Sequence, residues 1–118
     1  MSKLKKKLKT GAASSAPVVF LTTFANREDA VKFATTVVKE KLAACVNIIE
    51  GVTSIYIWQK KEQREQEILA IGKTTAKVFK KLKAKIKTLH PHELPELIAL
   101  PISDGMPAYL EWLTKEVN

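Results

Sequence analysis

Residues 45–58 read CVNIIEGVTSIYIW, a run without proline in which β-branched and aromatic side chains predominate. That composition is typical of a β-strand. Residues 59–66 are all polar, and apolar side chains return over residues 67–74. We therefore predict a β-hairpin over residues 45–74, with a charged turn in the polar stretch.

The first strand of this hairpin is too long for a small domain. Fourteen extended residues span about 46 Å at ~3.3 Å per residue, whereas a strand usually has about five or six residues. Part of the hairpin should therefore project beyond its own domain, with unpaired N–H and C=O groups along its edges. Because such edges readily pair with a second chain, the hairpin predicts self-association.

Before the hairpin, the sequence predicts one strand and one helix. Residues 18–21 form a short continuous apolar run, which is typical of a strand buried on both faces. Asn26 can cap a helix whose first turn carries Glu28 and Asp29. Apolar residues then recur at helical spacing until about Leu42.

After the hairpin, Thr75 can cap a second helix, and Pro91 should end it because proline disfavours helical geometry in the residue before it. A fourth strand is expected over residues 97–102, followed by a terminal helix that begins at Pro107. This order predicts an α+β domain with a ferredoxin-like βαββαβ antiparallel sheet and an extra C-terminal helix. Both main helices should cover one face of the sheet.

The 118-residue chain should form one domain over residues 17–118, preceded by a lysine-rich tail over residues 1–16 that we expect to be disordered. The net charge is +8, and the tail holds five of the lysines and no acidic residue. Removing those five charges from +8 leaves +3 for the domain, an ordinary surface balance. The excess charge is thus a property of the tail.

The sequence also indicates a compartment. A single cysteine, Cys45, excludes an intrachain disulfide and suits a reducing environment. No stretch approaches the ~20 apolar residues of a membrane span, and the N-terminus has no apolar signal region. We therefore expect a cytoplasmic protein without membrane association.

The motifs of common catalytic sites are absent, including a glycine-rich phosphate loop, a G-x-S-x-G elbow and an H-E-x-x-H helix. Their absence favours a binding protein over an enzyme. An RNA-recognition module shares the strand order, but its third strand needs stacking aromatics, and residues 67–74 contain none. We therefore expect no nucleic-acid partner.

The residues best suited to bind a metal ion are Cys45, His90 and His92. A thiolate and imidazoles together suit copper or zinc, and copper has the higher intrinsic affinity. Two alternatives stay open. Cys45 can be a small core residue, and His90 can be a hydrogen-bonded residue at the C-terminus of its helix.

Trp58 and Lys73 are further candidates. Trp58, at the end of the long strand, can stack on a ligand or plug an interface with a neighbouring chain. Lys73 lies in an apolar strand, where it can extend its ammonium group to solvent or pair with an anion. Glu67 and Glu96 are candidate carboxylate partners for it.

Two aromatic residues mark the terminal helix. Tyr109 and Trp112 are three residues apart and so lie on one helical face. We expect them to pack this helix onto the sheet.

Short motifs spread from about Pro17 to the C-terminus agree in order with those of a known family. They are KLAACVNI (41–48), SIYIW (54–58), Glu67, KT (73–74), HP (90–91), PE (95–96) and YLEW (109–112). This set resembles the CutA divalent-cation-tolerance family.

The resemblance implies a non-enzymatic homotrimer of ferredoxin-like subunits, similar in architecture to the trimeric PII signalling proteins, with long strands pairing across subunit boundaries. It implies binding of copper or another divalent cation, with no cofactor required for folding. The implied metal ligands are Cys45 and His90, to which this sequence adds His92. The implied residues of a cleft between subunits are Trp58, Lys73, Glu96, Tyr109 and Trp112, with Glu67 beside them.

Three positions depart from the family pattern. Gln59 follows Trp58 where the family usually has an acidic residue. His92 stands in place of a tyrosine and adds a candidate ligand. Gly72 stands where a bulkier apolar residue is common, which suggests a locally looser strand.

The sequence therefore predicts a homotrimeric divalent-metal, and specifically copper, tolerance protein. Two alternatives stay open. One is a PII-like signalling trimer that binds a small anionic metabolite in its cleft through Lys73, Trp58 and His90. The other is a structural trimer that docks partner proteins through its basic tail.

Overall fold

The structure is a computed structural model that describes residues 14–118. Most of the predicted tail, residues 1–13, lies outside the described residues. The described chain forms four strands and three helices in the order β1, α1, β2, β3, α2, β4, α3. Their bounds are Pro17–Phe24 (β1), Arg27–Lys39 (α1), Cys45–Trp58 (β2), Lys61–Thr75 (β3), Ala76–Leu89 (α2), Ile98–Pro101 (β4) and Pro107–Glu116 (α3).

The strands form one antiparallel sheet in the order β2-β3-β1-β4. The two strands of the hairpin are neighbours, β3 then pairs with β1, and β4 closes the other edge of the sheet. This arrangement confirms the predicted ferredoxin-like α+β fold with a C-terminal helix. Within residues 14–118, no helix is long and apolar enough to cross a bilayer.

Helices α1 and α2 pack on the same face of the sheet, as predicted. Phe20 and Phe24 of β1 are fully buried there and meet Phe33 of α1 and Leu82 of α2 in one apolar cluster. The Phe20 and Phe33 rings meet edge to face at 6.3 Å, a favourable geometry for aromatic pairs. This cluster holds the two helices on the sheet.

The opposite face of the sheet is apolar and only half-buried. Burial alternates strictly along β1, so that the side chains that face away from α1 and α2 are partly accessible. The prediction that this strand is buried on both faces is therefore wrong, because the helices cover only one of them. At the sheet edge, Ile98 and Leu100 of β4 are about half exposed, at 51% and 53%. An apolar surface of this kind is available to another protein chain.

The ends of two elements also differ from the predicted bounds. Helix α1 ends at Lys39 rather than near Leu42, because Lys41 has a positive φ of 60° and turns the chain. Strand β4 has only the four residues Ile98–Pro101. It ends at Pro101 because proline has no N–H to donate to a neighbouring strand.

The β2–β3 hairpin projects beyond the rest of the sheet. Pairing between β1 and β3 stops at Phe24 and Ile68, whereas β2 and β3 remain paired out to Trp58 and Lys61. The ladder is interrupted between Ile49 and Val52, where Gly51 has a φ of 79° and lies in a β-bulge. We call the projecting part, residues 52–67, the ribbon.

The turn of the hairpin is much shorter than predicted. It consists of Gln59 and Lys60, both with positive φ (50° and 66°), as a tight two-residue hairpin turn requires. Residues 61–66 were expected to lie in the turn but are part of β3. Their polar side chains suit a strand here because both faces of the ribbon meet solvent, and Gln66 donates a 2.7 Å hydrogen bond across the strands to Thr53.

Gly72 is required by the packing of β3 against the aromatic core. A Cβ atom at this position would lie 1.9 Å from the ring of Phe20, far inside van der Waals contact. The strand is therefore tightly filled at Gly72, not loose as the sequence suggested. The absence of a side chain makes room for an aromatic ring from the neighbouring strand.

We expect Gly72→Ala to destabilise the protein by about 2 kcal/mol, because the added methyl group overpacks a filled core. Urea unfolding followed by circular dichroism measures the loss. The double variant Gly72→Ala/Phe20→Leu should recover part of it, since the smaller residue frees the space. A single variant as stable as the wild type would contradict the steric role of Gly72.

Candidate functional site

A cleft of about 640 Å³ lies where the ribbon projects past the end of β1. One wall comes from the ribbon, and the other comes from the end of β1 and the segment after α2. We call it the ribbon cleft. Its lining residues are Thr23, Ala25, Ser54, Ile55, Tyr56, Trp58, Glu65, Gln66, Glu67, His92, Leu94 and Glu96.

The ribbon cleft is acidic in a protein that is strongly basic overall. Glu65, Glu67 and Glu96 contribute three carboxylates, and no lysine or arginine lines the cleft. The chain as a whole carries a net charge of +8. Carboxylates gathered without a cationic neighbour attract cations and repel anions.

Strand alternation explains why several of these groups share the cleft. Ser54 is paired with Glu65, and Val52 with Glu67, so these side chains point from one face of the ribbon. The Tyr56 hydroxyl donates a hydrogen bond to the Glu65 carboxylate. This hydrogen bond to the Glu65 carboxylate stabilises the protonated phenol and so raises the pKa of Tyr56 above its usual value.

His90 is buried beside the cleft, and both of its ring nitrogens have hydrogen-bond partners. Nε2 lies 2.7 Å from the carbonyl oxygen of Thr23, which can only accept, so Nε2 carries the proton. Nδ1 accepts a 3.1 Å hydrogen bond from the backbone N–H of His92. The His90 ring stacks on Phe24 with centroids 4.2 Å apart.

These contacts assign a structural task to His90. Burial lowers the pKa of its imidazole, and the nearby His92 lowers it further; the Thr23 carbonyl, Asp29 and Glu67 oppose this shift. A neutral ring in a single tautomer links the end of β1 to the segment that follows α2. This link corresponds to the hydrogen-bonded alternative left open by the sequence, and it leaves no free lone pair for a metal ion.

His92 follows two residues later and lies in the cleft. Its backbone N–H is held by His90, and the two rings are 4.6 Å apart. Four of the predicted site residues line this cleft. They are Trp58, Glu67, His92 and Glu96.

Cys45 and Lys73 lie elsewhere on the sheet. They are paired with each other, and Lys73 is in turn opposite Val19. Thr23, which lines the cleft, is four residues after Val19 on β1, so the two are roughly 13 Å apart at 3.3 Å per residue. The structure therefore does not bring Cys45 together with the two histidines within one chain.

The partner of Lys73 is not one of the predicted carboxylates. Its ammonium group donates to the side-chain oxygen of Asn47 on the adjacent strand. Neither Glu67 nor Glu96 takes part in this contact. Asn47 was not recognised from the sequence as a partner, although it lies two residues after Cys45 on the strand that pairs with β3.

The aromatic residues of α3 differ from expectation as well. Tyr109 and Trp112 are each 43% exposed, and their rings lie next to each other with centroids 5.5 Å apart and planes tilted by 38°. The residue that anchors the helix is Leu113, which is fully buried. Within a single chain, Tyr109 and Trp112 thus form an exposed aromatic pair. The face of α3 that packs against the rest of the domain is centred on Leu113, one residue after Trp112.

Glu65 and Thr23 are among the cleft residues that sequence reasoning missed. Glu65 was placed in a turn, and Thr23 has no distinguishing pattern in the sequence. A two-residue turn after Trp58 would have indicated Glu65, because it pairs Trp58 with Lys61 and therefore Ser54 with Glu65. The backbone carbonyl of Thr23 bonds to the His90 ring, and no sequence signal marks such a contact.

The described residues contain no group of three or more histidine, cysteine, aspartate or glutamate side chains arranged to hold a metal ion. One chain therefore offers His92 and nearby carboxylates as an incomplete set of ligands. Water molecules or side chains from a second chain would have to complete a coordination sphere of four or more ligands.

Comparison with known proteins gives one consistent result. Residues 18–116 match the family model described as CutA1 divalent ion tolerance protein. Divalent-cation tolerance protein CutA of Thermus thermophilus is 50% identical over 100 residues, which cover 85% of this chain and 97% of that protein. Protein CutA, chloroplastic, of Arabidopsis thaliana is 45% identical over 96 residues.

The plant relative is longer than the region of similarity. The match covers 81% of this chain but 53% of the Arabidopsis protein. The solved structure of the divalent cation tolerance protein (Cut A1) from Thermus thermophilus superimposes with a TM-score of 0.84 at 46% identity, covering 86% of this chain and 99% of that one. The likeness therefore includes nearly all of the domain.

The lowered pKa of His90 predicts a pH-dependent stability. The folded state disfavours protonation of His90. The contribution of neutral His90 to the free energy of unfolding is therefore fully present above its unfolded pKa of about 6.5, and it is lost as the pH falls through its lower pKa in the folded state. Urea unfolding from pH 7.5 down to 5 should show the decline. His90→Gln should be less stable at pH 7.5 by about 1–3 kcal/mol and should lack the His90 contribution to this decline.

The matched control is His92→Gln, which keeps His90 and should retain most of the pH dependence, because burial lowers the pKa of His90 more than His92 does. A decline of equal size in wild type and His90→Gln would show that another group is responsible.

Proposed function

This chain belongs to the CutA1 divalent ion tolerance family, and from that premise we propose that it is a non-enzymatic homotrimer that binds a divalent metal ion in the ribbon cleft. Copper is the first candidate for the ion. The relatives are named for tolerance to divalent cations and not for a reaction. We further propose a cytoplasmic location, on the basis of the single cysteine.

The observation that carries the metal proposal is the charge of the ribbon cleft. Three carboxylates and one imidazole line it, without any lysine or arginine. Carboxylate oxygens and imidazole nitrogens together suit the divalent transition metals, among which copper binds most strongly to a given ligand set. A cation is the ligand that this lining attracts.

Within this proposal, the two histidines have different tasks. His92 is the metal ligand, since it lines the cleft. His90, whose two nitrogens are already hydrogen-bonded, is a positioning residue that holds the backbone of His92. Such supporting groups orient metal ligands and commonly contribute to affinity. Cys45, at the far end of the sheet, is proposed as a separate thiolate ligand for a soft ion.

The homotrimer is proposed from the edges and the apolar surface of the sheet. The ribbon carries unpaired edges, and its Ile55, Tyr56, Ile57 and Trp58 are 42–67% exposed. Surfaces of this composition are usually covered by another chain. A second chain laid along the ribbon would also add side chains to the incomplete ligand set of the cleft.

Within one chain, the lining of the ribbon cleft favours a cation over a small anionic metabolite. The metabolite alternative places Lys73, Trp58 and His90 around a cleft between subunits. Within one chain, Lys73 bonds to Asn47 and does not line the ribbon cleft. An anion there would face three carboxylates without a compensating cation.

We expect His92→Ala to weaken copper binding at least ~10-fold, since loss of groups that only support a ligand already costs about that much. Isothermal titration calorimetry with Cu(II) measures the change. Glu67→Gln/Glu96→Gln should also weaken it. Glu62→Gln is the matched control, because Glu62 lies on the ribbon but outside the cleft. Copper binding to His92→Ala with wild-type affinity would contradict the site.

Sedimentation equilibrium should give a mass near three times 13.2 kDa. Ile57→Lys should reduce it, because a charge then replaces an exposed apolar side chain on the ribbon. Val38→Lys, a similar change of an exposed residue on α1, is the control that should leave the mass unchanged. A monomeric wild-type protein at tens of micromolar would refute the assembly.

A further inference from the structure

We propose that the outer side of α2 is a docking surface for an acidic peptide segment of a partner protein. Six lysines lie on this helix, and all of them are exposed. The proposal depends neither on the ribbon cleft nor on a metal ion. It is also compatible with the homotrimer, which is proposed from the ribbon and from the face of the sheet opposite the helices, whereas α2 covers the other face.

The excess positive charge of the domain is located on α2. The domain, residues 17–118, has a net charge of +3. Helix α2 contributes six lysines and no acidic residue, so the rest of the domain has a net charge of −3. A single element with this much charge of one sign attracts a partner of the opposite sign.

Four of these lysines form a row on the side of α2 that faces away from the core. The core side of the helix carries Val78, Leu82 and Ile86, which are buried. At 3.6 residues per turn the row lies on the opposite side, and at 1.5 Å per residue it is about 15 Å long. We call it the lysine row, and its residues are Lys77, Lys80, Lys83 and Lys87.

The lysine row has no anionic partner within residues 14–118. Beside the row, Lys85 pairs with Glu40 at 3.7 Å, and Lys81 donates a 2.8 Å hydrogen bond to the backbone carbonyl oxygen of Asn118. The ion pairs in the described part of the chain involve no lysine of the row. Its four ammonium groups are therefore available to a second molecule.

The charge pattern of the lysine row is unfavourable for the helix itself. Lysines four residues apart, such as Lys83 and Lys87, repel each other, and Lys77 lies in the first turn, where the helix dipole disfavours a cation. That turn has no acidic residue to offset the dipole. The buried apolar side chains hold α2 on the sheet. A pattern that opposes the local rules without a packing role is typical of a functional surface.

The width of the charged surface favours a peptide over a nucleic acid or a bilayer. The neighbouring helix α1 with its cap residue Glu40 has three basic and three acidic residues. The positive charge is therefore limited to a stripe about one helix wide, roughly 10 Å. A duplex or a membrane is broader than this stripe and would also meet the exposed carboxylates of Glu28 and Glu40. About five residues of an extended peptide match the length of the row.

The side chains of α2 support the same choice of partner. The helix has lysine but no arginine, which is the residue that best matches the geometry of a phosphate group. In α2, which the structure describes completely, no large apolar side chain is exposed. The helix therefore offers nothing to stack on a base or to insert into a bilayer. A run of aspartate or glutamate residues is the ligand that this surface fits.

The test measures the binding of a fluorescein-labelled hexaglutamate peptide to the full-length protein by fluorescence anisotropy, at low salt and with EDTA present. The affinity should fall at least ~10-fold in Lys80→Gln/Lys83→Gln/Lys87→Gln, because three exposed ion pairs are lost. Salt should weaken binding to the wild type. Circular dichroism should show an unchanged helix content, since glutamine is a good helix former.

The matched control is Lys3→Gln/Lys5→Gln/Lys7→Gln, which lowers the net charge by the same amount, from +8 to +5, outside α2. It should weaken peptide binding less than about threefold, since it leaves the lysine row intact. Equal losses in the two variants would show that binding follows net charge and would overturn the docking surface. Wild-type affinity in the α2 variant would overturn it as well.

Carbodiimide cross-linking of the peptide to the wild-type protein locates the contact without any substitution. The reagent joins peptide carboxylates to lysine amines that lie against them, and mass spectrometry identifies the lysines. Cross-links should concentrate on Lys77, Lys80, Lys83 and Lys87. Cross-links found only at lysines outside α2 would overturn the proposal.

The class of partner is tested with a DNA oligonucleotide of the same charge as the peptide and with phosphatidylserine vesicles. The peptide should bind more tightly than the oligonucleotide, and the substitutions in α2 should not change vesicle binding. An oligonucleotide that binds more tightly than the peptide and loses this affinity in the α2 variant would overturn the choice of an acidic peptide. Vesicle binding that is lost in the α2 variant would also overturn it.

Discussion

The antiparallel pairing of β2 with β3 beyond the end of β1 is the constraint on which the rest of the structure depends. It continues from Cys45 and Lys73 to Trp58 and Lys61, although β1 supports only its first half. Within residues 14–118, the side chains at the end of the projecting half, from Ile55 to Trp58, remain accessible. The same projection forms one wall of the ribbon cleft and leaves the strand edges that a neighbouring chain can pair with.

The second organising feature is the separation of charge. The chain carries a net charge of +8, and the exposed side of α2 is rich in lysine, while three carboxylates line the ribbon cleft. The cleft is therefore a local region of negative charge on a basic protein, and the described residues contain no preformed metal site.

Much of the fold could be predicted because its signals are local. Thr75 caps α2 through its side chain, and Pro107 starts α3. The length of the turn could not be predicted in this way, since polarity reports solvent exposure and not backbone conformation. The polar residues of the ribbon are exposed, as a turn would be, yet they are fully paired in a strand.

The candidate site was less predictable than the fold. His92, Glu67, Glu96 and Trp58 were named from residue type and resemblance, and the fold gathers them. The task of His90 depends on a carbonyl group 67 positions away in the chain, and the reason for Gly72 is a ring on another strand. Contacts of this kind form only when segments that are distant in the sequence pack together. Local sequence patterns therefore do not predict them.

The two-residue turn at Gln59 and Lys60 determines which residues of β3 lie opposite which residues of β2. Directly opposite residues of an antiparallel pair point to the same face, so the pairing of Trp58 with Lys61 also places Ser54 and Glu65 on one face. The far end of β3 is fixed by its pairing with β1 and by the packing of Gly72 on Phe20. A residue inserted in the turn would therefore have to be absorbed by a longer loop or a second bulge, and the ribbon tip could change in length while Glu65 and Glu67 kept their side of the sheet.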